Sequence, residues 1–422
     1  PVSGFCDHGP NGTGVSQQDR QPAGPPFLGT DESLVKYRLY PTDEQRETLD
    51  RILWIHRGLY NDALTERRLA WEKSRKSINY TAQAGQLKAI RQFDADAAWL
   101  NYSSIQQTLR RLDKAYAAFF RRVKAGETPG YPRYKGRRRF NSVRYVYGDG
   151  LHLRDGRLYV QHVGSIRLFR HRPLPEGAVI RQAVIKRDGL GNWCVVFQLE
   201  LPDPEPLPGP LEAVGLDMGL LSFVALSTGE EVDNPRWFRA GEERLAVLQK
   251  RRARCKRGSR QYRELSRLIR QHHERVRNRR LDFQHKLSRA LVDAYPVIVT
   301  EVLNIKGLAR SHVAKSIGDA GWAQFLAFLD YKAAKAGGWR IAVDARNTSQ
   351  VCPACGCFVE KSLSVRVHDC PHCGYVVSRD VASAQVILIR GLARMEPGRK
   401  VFPARLARRV SASGRVAGSS PL

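Results

Sequence analysis

The sequence predicts a multidomain α/β protein: a β-barrel domain carrying a helical insertion, then an α/β domain with a small metal module set into it. Three observations lead there. The chain has 422 residues, enough for about two to three domains of typical size. The apolar pattern changes from helical spacing over residues 42–125 to short alternating runs over 137–201. Two matched Cys-x-x-Cys-Gly turns lie in the C-terminal third.

Composition narrows the class. Hydrophobic residues make up 42% and charged residues 26%, which supplies real cores and excludes a mostly disordered chain. No stretch approaches the ~18 consecutive apolar residues of a membrane span, so no membrane partner is expected. The first thirty residues lack the basic start and apolar run of a secretory signal, and a cytoplasmic protein is expected. Lys plus Arg is 70 against 41 for Asp plus Glu, a net charge of +29. A surface so basic repels itself, and the commonest compensating partner is a phosphate backbone.

Taken in order, residues 1–31 are rich in Gly and Pro with no periodic pattern, and are expected to be disordered. An alternating strand follows at Val35–Tyr40, then Pro41 and the capping-box pattern Thr42-x-x-Gln45. Residues 42–125 read as several helices. After the Gly- and Pro-rich break at 126–136, strands are expected at Val143–Tyr147, Leu158–Val160, Ile166–Phe169, Ala183–Lys186 and Trp193–Glu200. Segments 32–41 and 126–210 form the barrel domain, with a Pro-rich linker at 202–210.

The second half opens with paired strands at Ala213–Leu216 and Ser222–Leu226. Helices over 241–294, broken near Gly258-Ser259, carry one apolar stripe and many arginines with few acids between them. They read as phosphate-tracking helices. Arg251, Arg252, Arg254, Arg263, Arg267 and Arg270 are candidate nucleic-acid contacts, as are Arg137, Arg138 and Arg139 in the earlier break. A buried strand at Pro296–Thr300, a helix at 319–336, a strand at Trp339–Asp344 and a last helix from Arg379 to about Arg394 complete the α/β domain, 211–345 and 378–395. The cysteine module occupies 346–377, and 396–422 is a basic, loose tail. No helix-turn-helix and no zinc-finger helix is evident.

Cys352-Pro-Ala-Cys355-Gly and Cys370-Pro-His-Cys373-Gly are separated by fourteen residues. Tetrahedral zinc needs four soft ligands, and each turn aims two thiolates at one ion. Cys352, Cys355, Cys370 and Cys373 therefore form a zinc ribbon, with Cys357 and His372 as bystanders. Four thiolates leave no open position for water, so this Zn²⁺ is structural.

Three acids stand at the ends of apolar segments. Asp217 closes Val214-Gly215-Leu216, Glu301 closes Val297–Thr300, and Asp380 opens the last helix. Acids so placed cost desolvation unless paired or coordinating, and together they can hold hard Mg²⁺ ions. Asp344, also at a strand end, is the rival candidate.

Val-Gly-Leu-Asp217-Met-Gly, Ile-Val-Thr-Glu301-Val-Leu-Asn-Ile-Lys-Gly-Leu and Arg379-Asp380 after a ribbon resemble the split RuvC nuclease of TnpB proteins. The same pattern occurs in miniature type V CRISPR effectors. Asp344-Ala-Arg346-Asn-Thr348-Ser349-Gln350-Val-Cys352 is similar to that family's approach to the ribbon. The match covers residues 211–395; residues 31–210 match in layout, similar to a β-barrel wedge domain with a helical recognition domain inserted.

The resemblance implies an RNase H-like (RuvC) core with Asp217, Glu301 and Asp380 as a Mg²⁺-binding catalytic triad. It implies a guide RNA as cofactor and partner, and a target DNA cut by two-metal phosphodiester hydrolysis after a short flanking motif is read. Arg346 then either neutralises charge at the scissile phosphate or anchors the ribbon loop. Two positions depart from the family: Val302 where an Asp usually follows the Glu, and Ala382 where an Asn usually follows the last Asp. The motifs are shared by relatives guided from a transposon end and from a CRISPR array. The alternatives are a catalytically weak RNA-guided repressor, a strand-joining transposase and an unguided zinc-ribbon DNA-binding factor. The intact acids count against the first and last, and the want of an evident nucleophilic Tyr or Ser against the second.

Overall fold

The computed structural model describes residues 32–395, apart from 205, 206, 209, 210, 309, 312 and 363, and the backbone of 401–403. The expectation for residues 1–31 lies outside the described residues, as does most of the expected tail.

The described residues open with β1 (Glu32–Tyr40) and four helices: α1 (Asp43–Ser74), α2 (Tyr80–Phe93), α3 (Ala95–Trp99) and α4 (Tyr102–Lys124). The capping box forms as read, with the Thr42 side chain accepting from the Gln45 N–H and the Gln45 side chain returning to the Thr42 N–H. Six strands follow: β2 (Ser142–Val146), β3 (Leu151–Arg154), β4 (Arg157–Val160), β5 (Gly164–Phe169), β6 (Val179–Arg187) and β7 (Trp193–Glu200). With β1 they make one antiparallel sheet of seven strands in the order β2-β6-β7-β1-β5-β4-β3. The end strands β2 and β3 are chain neighbours, so the sheet curls into a nearly closed barrel. Strand β3 was not among the strands expected from the sequence.

Helices and barrel share a core. Leu49, Ile52, Leu64, Ile105 and Leu109 pack in one buried cluster with Val35, Tyr37, Val195 and Phe197. At ~1.5–3 kcal/mol per buried large apolar side chain, this common interior holds the insertion on the sheet.

The second sheet comprises β8 (Leu211–Met218), β9 (Ser222–Leu226), β10 (Glu231–Asp233), β11 (Val297–Glu301) and β12 (Trp339–Val343), in the order β10-β9-β8-β11-β12. Strands β8, β11 and β12 are parallel, β9 and β10 antiparallel. Between β10 and β11 run α5 (Glu242–Ala253) and α6 (Arg260–Ala294), the latter capped by Ser259. Between β11 and β12 lie α7 (Ile305–Leu308), α8 (Ala314–Ala320) and α9 (Trp322–Lys335). The single helix expected over 319–336 is broken at Gly321, whose φ of 67° ends α8 in a left-handed cap. The apolar spacing runs through this break, which is why periodicity alone did not reveal it.

The cysteine module contributes β13 (Val367–Asp369) and β14 (Val376–Ser378), and α10 (Arg379–Leu392) follows directly. Within the tail segment, β15 (Val401–Pro403) pairs in parallel with the start of β8.

Alternation along the strands separates two faces. Val214, Leu216 and Ile298 point to a core shared with Leu287, Leu291, Phe325 and Leu329 of α6 and α9. Ala213, Val297 and Val299 point the other way, to Ile387 and Leu388 of α10. No described helix is long and apolar enough to cross a membrane.

Candidate active site and metal centre

The two-residue period of a strand places the acids. Gly215 faces α10 so closely that a Cβ there would lie 2.0 Å from the Ala384 carbonyl oxygen and 2.9 Å from Leu388 Cβ. Asp217, two residues on, shares that face. Val299 also faces α10, where Gly391 leaves room for it, and Glu301 is two residues further. The parallel register pairs Leu216 with Thr300, so Asp217 and Glu301 stand level on adjacent strands. Asp380, in the first turn of α10, arrives over the same end of the sheet.

Their electrostatics record the convergence. Burial, then the charges of Glu301 and Asp380, push the Asp217 carboxyl up to about 8, against the pull of Arg379 and the Met218 N–H. Burial also raises Glu301, with Asp344 adding to it; the Thr348 hydroxyl and Arg390 act in the opposite sense. Asp380 is raised by burial and by Glu231, and Arg366 and Arg379 oppose this. Among the described residues, however, only the four cysteines bring all their ligand atoms within 4.8 Å of one another. The acids converge more loosely. Asp344 is exposed, and its carboxylate accepts from the Arg346 N–H at 3.1 Å.

The cysteine turns are built alike. The Gly356 N–H donates to the Cys352 carbonyl and the Gly374 N–H to the Cys370 carbonyl, both at 2.9 Å, with the glycines at φ 76° and 71°. Cys352 Sγ lies 3.7 Å from Cys373 Sγ, and Cys355 Sγ 3.6 Å from Cys370 Sγ. Zn–S bonds of ~2.3 Å in a tetrahedron put sulfurs about 3.8 Å apart, so the donor set fits zinc. Cys357 and His372 stand outside the cluster.

Sequence reasoning missed the residues that join these two centres. Thr348 donates its hydroxyl to Glu301 Oε1. Arg379, buried at the start of α10, donates to the carbonyls of Ser362 (2.6 Å) and Val365 (3.2 Å) in the cysteine module. Arg390 of α10 holds the carbonyls of Asp344 and Arg346 at 2.9 and 2.7 Å. Arg346 itself is exposed, its backbone fixed at both ends. Only the adjacency Arg379-Asp380 was a visible signal.

The candidate phosphate contacts are distributed. Arg137, Arg138 and Arg139 are exposed in a turn; Arg251, Arg254, Arg263 and Arg267 are exposed on α5, α6 and the loop between them. Arg252 is half-buried over the Tyr262 ring. Arg270 donates to the Gly189 carbonyl at 3.1 Å and so bridges α6 to the barrel.

A protein of Streptomyces pristinaespiralis described as "Putative RNA-guided DNA endonuclease" is 35% identical over 384 residues, covering 90% of this chain and 94% of that protein. The chain belongs to the TnpB family. Another relative, "Putative RNA-guided DNA endonuclease InsQ" of Escherichia coli K12, is 28% identical over 87% of this chain and 94% of its own length. A family model described as "Probable transposase" matches residues 196–312, and one described as "Cas12f1-like, TNB domain" matches 322–387. A third, described as "Helix-turn-helix domain", matches 34–76. None was expected there, and in the structure those residues are β1 and one uninterrupted helix, α1, with no turn between two helices. Among solved structures, a Cas12f1–sgRNA–target DNA complex aligns with a TM-score of 0.51 at 14% identity, over 82% of this chain and 83% of that one. That likeness is one of fold.

Proposed function

We propose that this TnpB-family chain is an RNA-guided DNA endonuclease with a single RuvC-type, RNase H-like site in which Asp217, Glu301 and Asp380 hold Mg²⁺. The observation that carries this reading is the meeting of three acids from distant segments at one sheet end, where burial, then the charges of Glu301 and Asp380, bring Asp217 to about 8. Such a cluster is unfavourable by itself and is relieved by a hard divalent cation with oxygen ligands. When bound, Mg²⁺ supplies an activated water and stabilises the leaving oxygen of a phosphodiester.

The chain's own residues supply the rest. Thr348 fixes one oxygen of Glu301, and Arg379 fastens the start of α10, which carries Asp380, to the cysteine module. Arg346, with its backbone held and its side chain exposed, is available to a phosphate next to the acids. Zn²⁺ on the four cysteines is structural and keeps that loop in place. Sequence choice comes from guide pairing, with the N-terminal half reading a short flanking motif on the DNA. The distributed arginines suit a long structured RNA and a heteroduplex better than one groove.

The experiment purifies the protein from cells carrying its native flanking DNA, sequences the bound RNA and exchanges the guide end. Cutting should follow the exchanged sequence. Asp217→Ala, Glu301→Ala and Asp380→Ala should each abolish cutting while leaving DNA binding nearly intact, because each removes a metal ligand and no cationic phosphate contact. Cutting that ignores the guide, or a random sample of bound RNA, would defeat the guided reading. Guided binding without metal-dependent cutting would make the chain a repressor instead.

A further inference from the structure

A cavity of about 510 Å³ opens between α1, the turn after residue 136 and the end of β6, lined by Leu53, Trp54, Arg57, Arg137 and Phe140 among others. Three of these groups are without work in the fold. The Trp54 indole is 55% exposed and stacks on no other ring among the described residues. The buried Nε of Arg57 has no hydrogen-bond partner among the described residues. Arg137 projects from an exposed turn.

Two further arginines at the rim are engaged already. Arg51 donates to Asp96 at 2.9 Å and lies 4.6 Å over the Trp99 ring. Arg187 is paired with Asp50, which also lines the cavity, and sits 5.7 Å over the Trp193 ring. The acid in the lining is therefore neutralised. What remains is one open aromatic face with two cations beside it.

We propose that this cavity takes one unpaired nucleotide of a nucleic-acid strand, its base stacked on Trp54 and its phosphate between Arg57 and Arg137. The inference rests on the nucleic-acid reading above and adds to it a place where a single base is held out of its stack. A duplex covers its base faces with neighbouring bases, so a lone aromatic in a cavity can engage only a base that has left the helix. The volume lies within the ~300–1,000 Å³ usual for sites that enclose one small ligand, and far below what a duplex occupies. Every base has a π face, so the site is indifferent to sequence.

The test uses the full chain, stripped of co-purified nucleic acid at high salt, with fluorescent oligo(U), oligo(dT) and a DNA duplex, each about twenty nucleotides or base pairs long. Trp54→Ala should weaken binding to the single strands about tenfold, the range of one lost stacking contact, and leave the duplex unchanged. Trp54→Phe, which keeps a ring, should recover most of the loss. Arg137→Gln should lower the slope of log affinity against log salt for single strands by about 0.7, one phosphate contact. A larger effect on oligo(U) assigns the site to RNA, and a larger effect on oligo(dT) assigns it to a DNA strand. Single-strand binding by Trp54→Ala at the wild-type level, an equal loss on the duplex, or no recovery in Trp54→Phe would each overturn the site alone. If the wild-type chain bound none of the three probes, the nucleic-acid reading would fall with it.

Discussion

Thr348 donates its hydroxyl hydrogen to Glu301 Oε1, and this contact joins the loop before Cys352 to an acid at the end of β11. Thr348 is itself buried. The bond leaves one Glu301 oxygen committed to the protein and fixes where the other is presented. Thr348→Val keeps the shape and removes the donor, so Glu301 would turn more freely. Single-turnover cutting should slow about tenfold, corresponding to ~1.4 kcal/mol of lost positioning. Thr348→Ser should restore most of the rate, and DNA affinity should be unchanged in both. An unaltered rate in the valine variant would remove Thr348 from the site.

Asp217 links the site to pH. With no metal bound, its carboxyl keeps a proton in the folded chain up to about 8, whereas in the unfolded chain it ionises near ~4. Between those values the folded state binds more protons, so stability falls as pH rises across that window. Metal-free protein should melt progressively lower from pH 5 to 8.5, and Asp217→Asn should lose most of that slope, melting on the order of 5 °C higher at pH 8. Adding Mg²⁺ at pH 8 should raise the melting point of the wild type more than that of the variant. The Mg²⁺ concentration for half-maximal cutting should fall as pH rises from about 6.5 to 8.5, since metal and proton compete for one group. Parallel melting curves for the two proteins would contradict the raised carboxyl.

Zinc should be found at about one atom per chain after Mg²⁺ has been dialysed away. Cys352→Ser or Cys370→Ser should lose it and open residues 346–380 to protease, because ligand binding in such modules is largely folding energy. Cutting should fall as well, since Arg379 ties the module to the helix that carries Asp380. A zinc-free preparation with native protease resistance and full activity would show that the four sulfurs hold nothing essential.

Gly215→Ala tests the contact that sets α10 on the sheet. Its new methyl would meet the Ala384 carbonyl oxygen at 2.0 Å, a backbone atom that can yield only if the helix moves. The expected cost is ~1–3 kcal/mol of stability, with a loss of cutting out of proportion as Asp380 is carried away from Asp217. Gly85 in α2 is the control: a Cβ there meets nothing within 4 Å, and Gly85→Ala should stabilise the chain by roughly 0.5–1 kcal/mol.

What was legible in the sequence was local chemistry. The Thr42–Gln45 box and the paired cysteine turns each announce themselves within a few residues, because the groups that satisfy one another are chain neighbours. Asp217 and Glu301 were visible as candidates because each is an acid ending an apolar strand, but Asp344 ends a strand too, and only the resemblance to the family's motifs separated them. Contacts made by folding were not legible. Arg270 looked like any other exposed cation, yet it reaches the Gly189 carbonyl across the gap between sheet and helix. Thr348 and Arg390 act through partners more than forty residues away, and Arg379 showed only its adjacency to Asp380, not its hold on the cysteine module. The break at Gly321 was hidden because apolar spacing continues through it.

The helical insertion also governs the order in which the molecule can be assembled. Strand β1 emerges first, but its partners β5 and β7 come much later; the Arg38–Asn192 hydrogen bond beside the β1–β7 pairing spans 154 residues. At ~5–20 residues per second of synthesis, β1 waits about 10–30 s for its neighbour. In that interval the nearby helices, whose contacts are short in sequence, form first and cover the apolar side of Val35, Tyr37 and Leu39 with Leu49 and Ile52. Lys36 and Arg38 on the opposite side present charge to any chain that would pair with the bare edge. The insertion thus acts as a cradle for an unpaired strand during translation, and moving it after β7 should yield an aggregating protein even though every contact of the finished barrel could still be made.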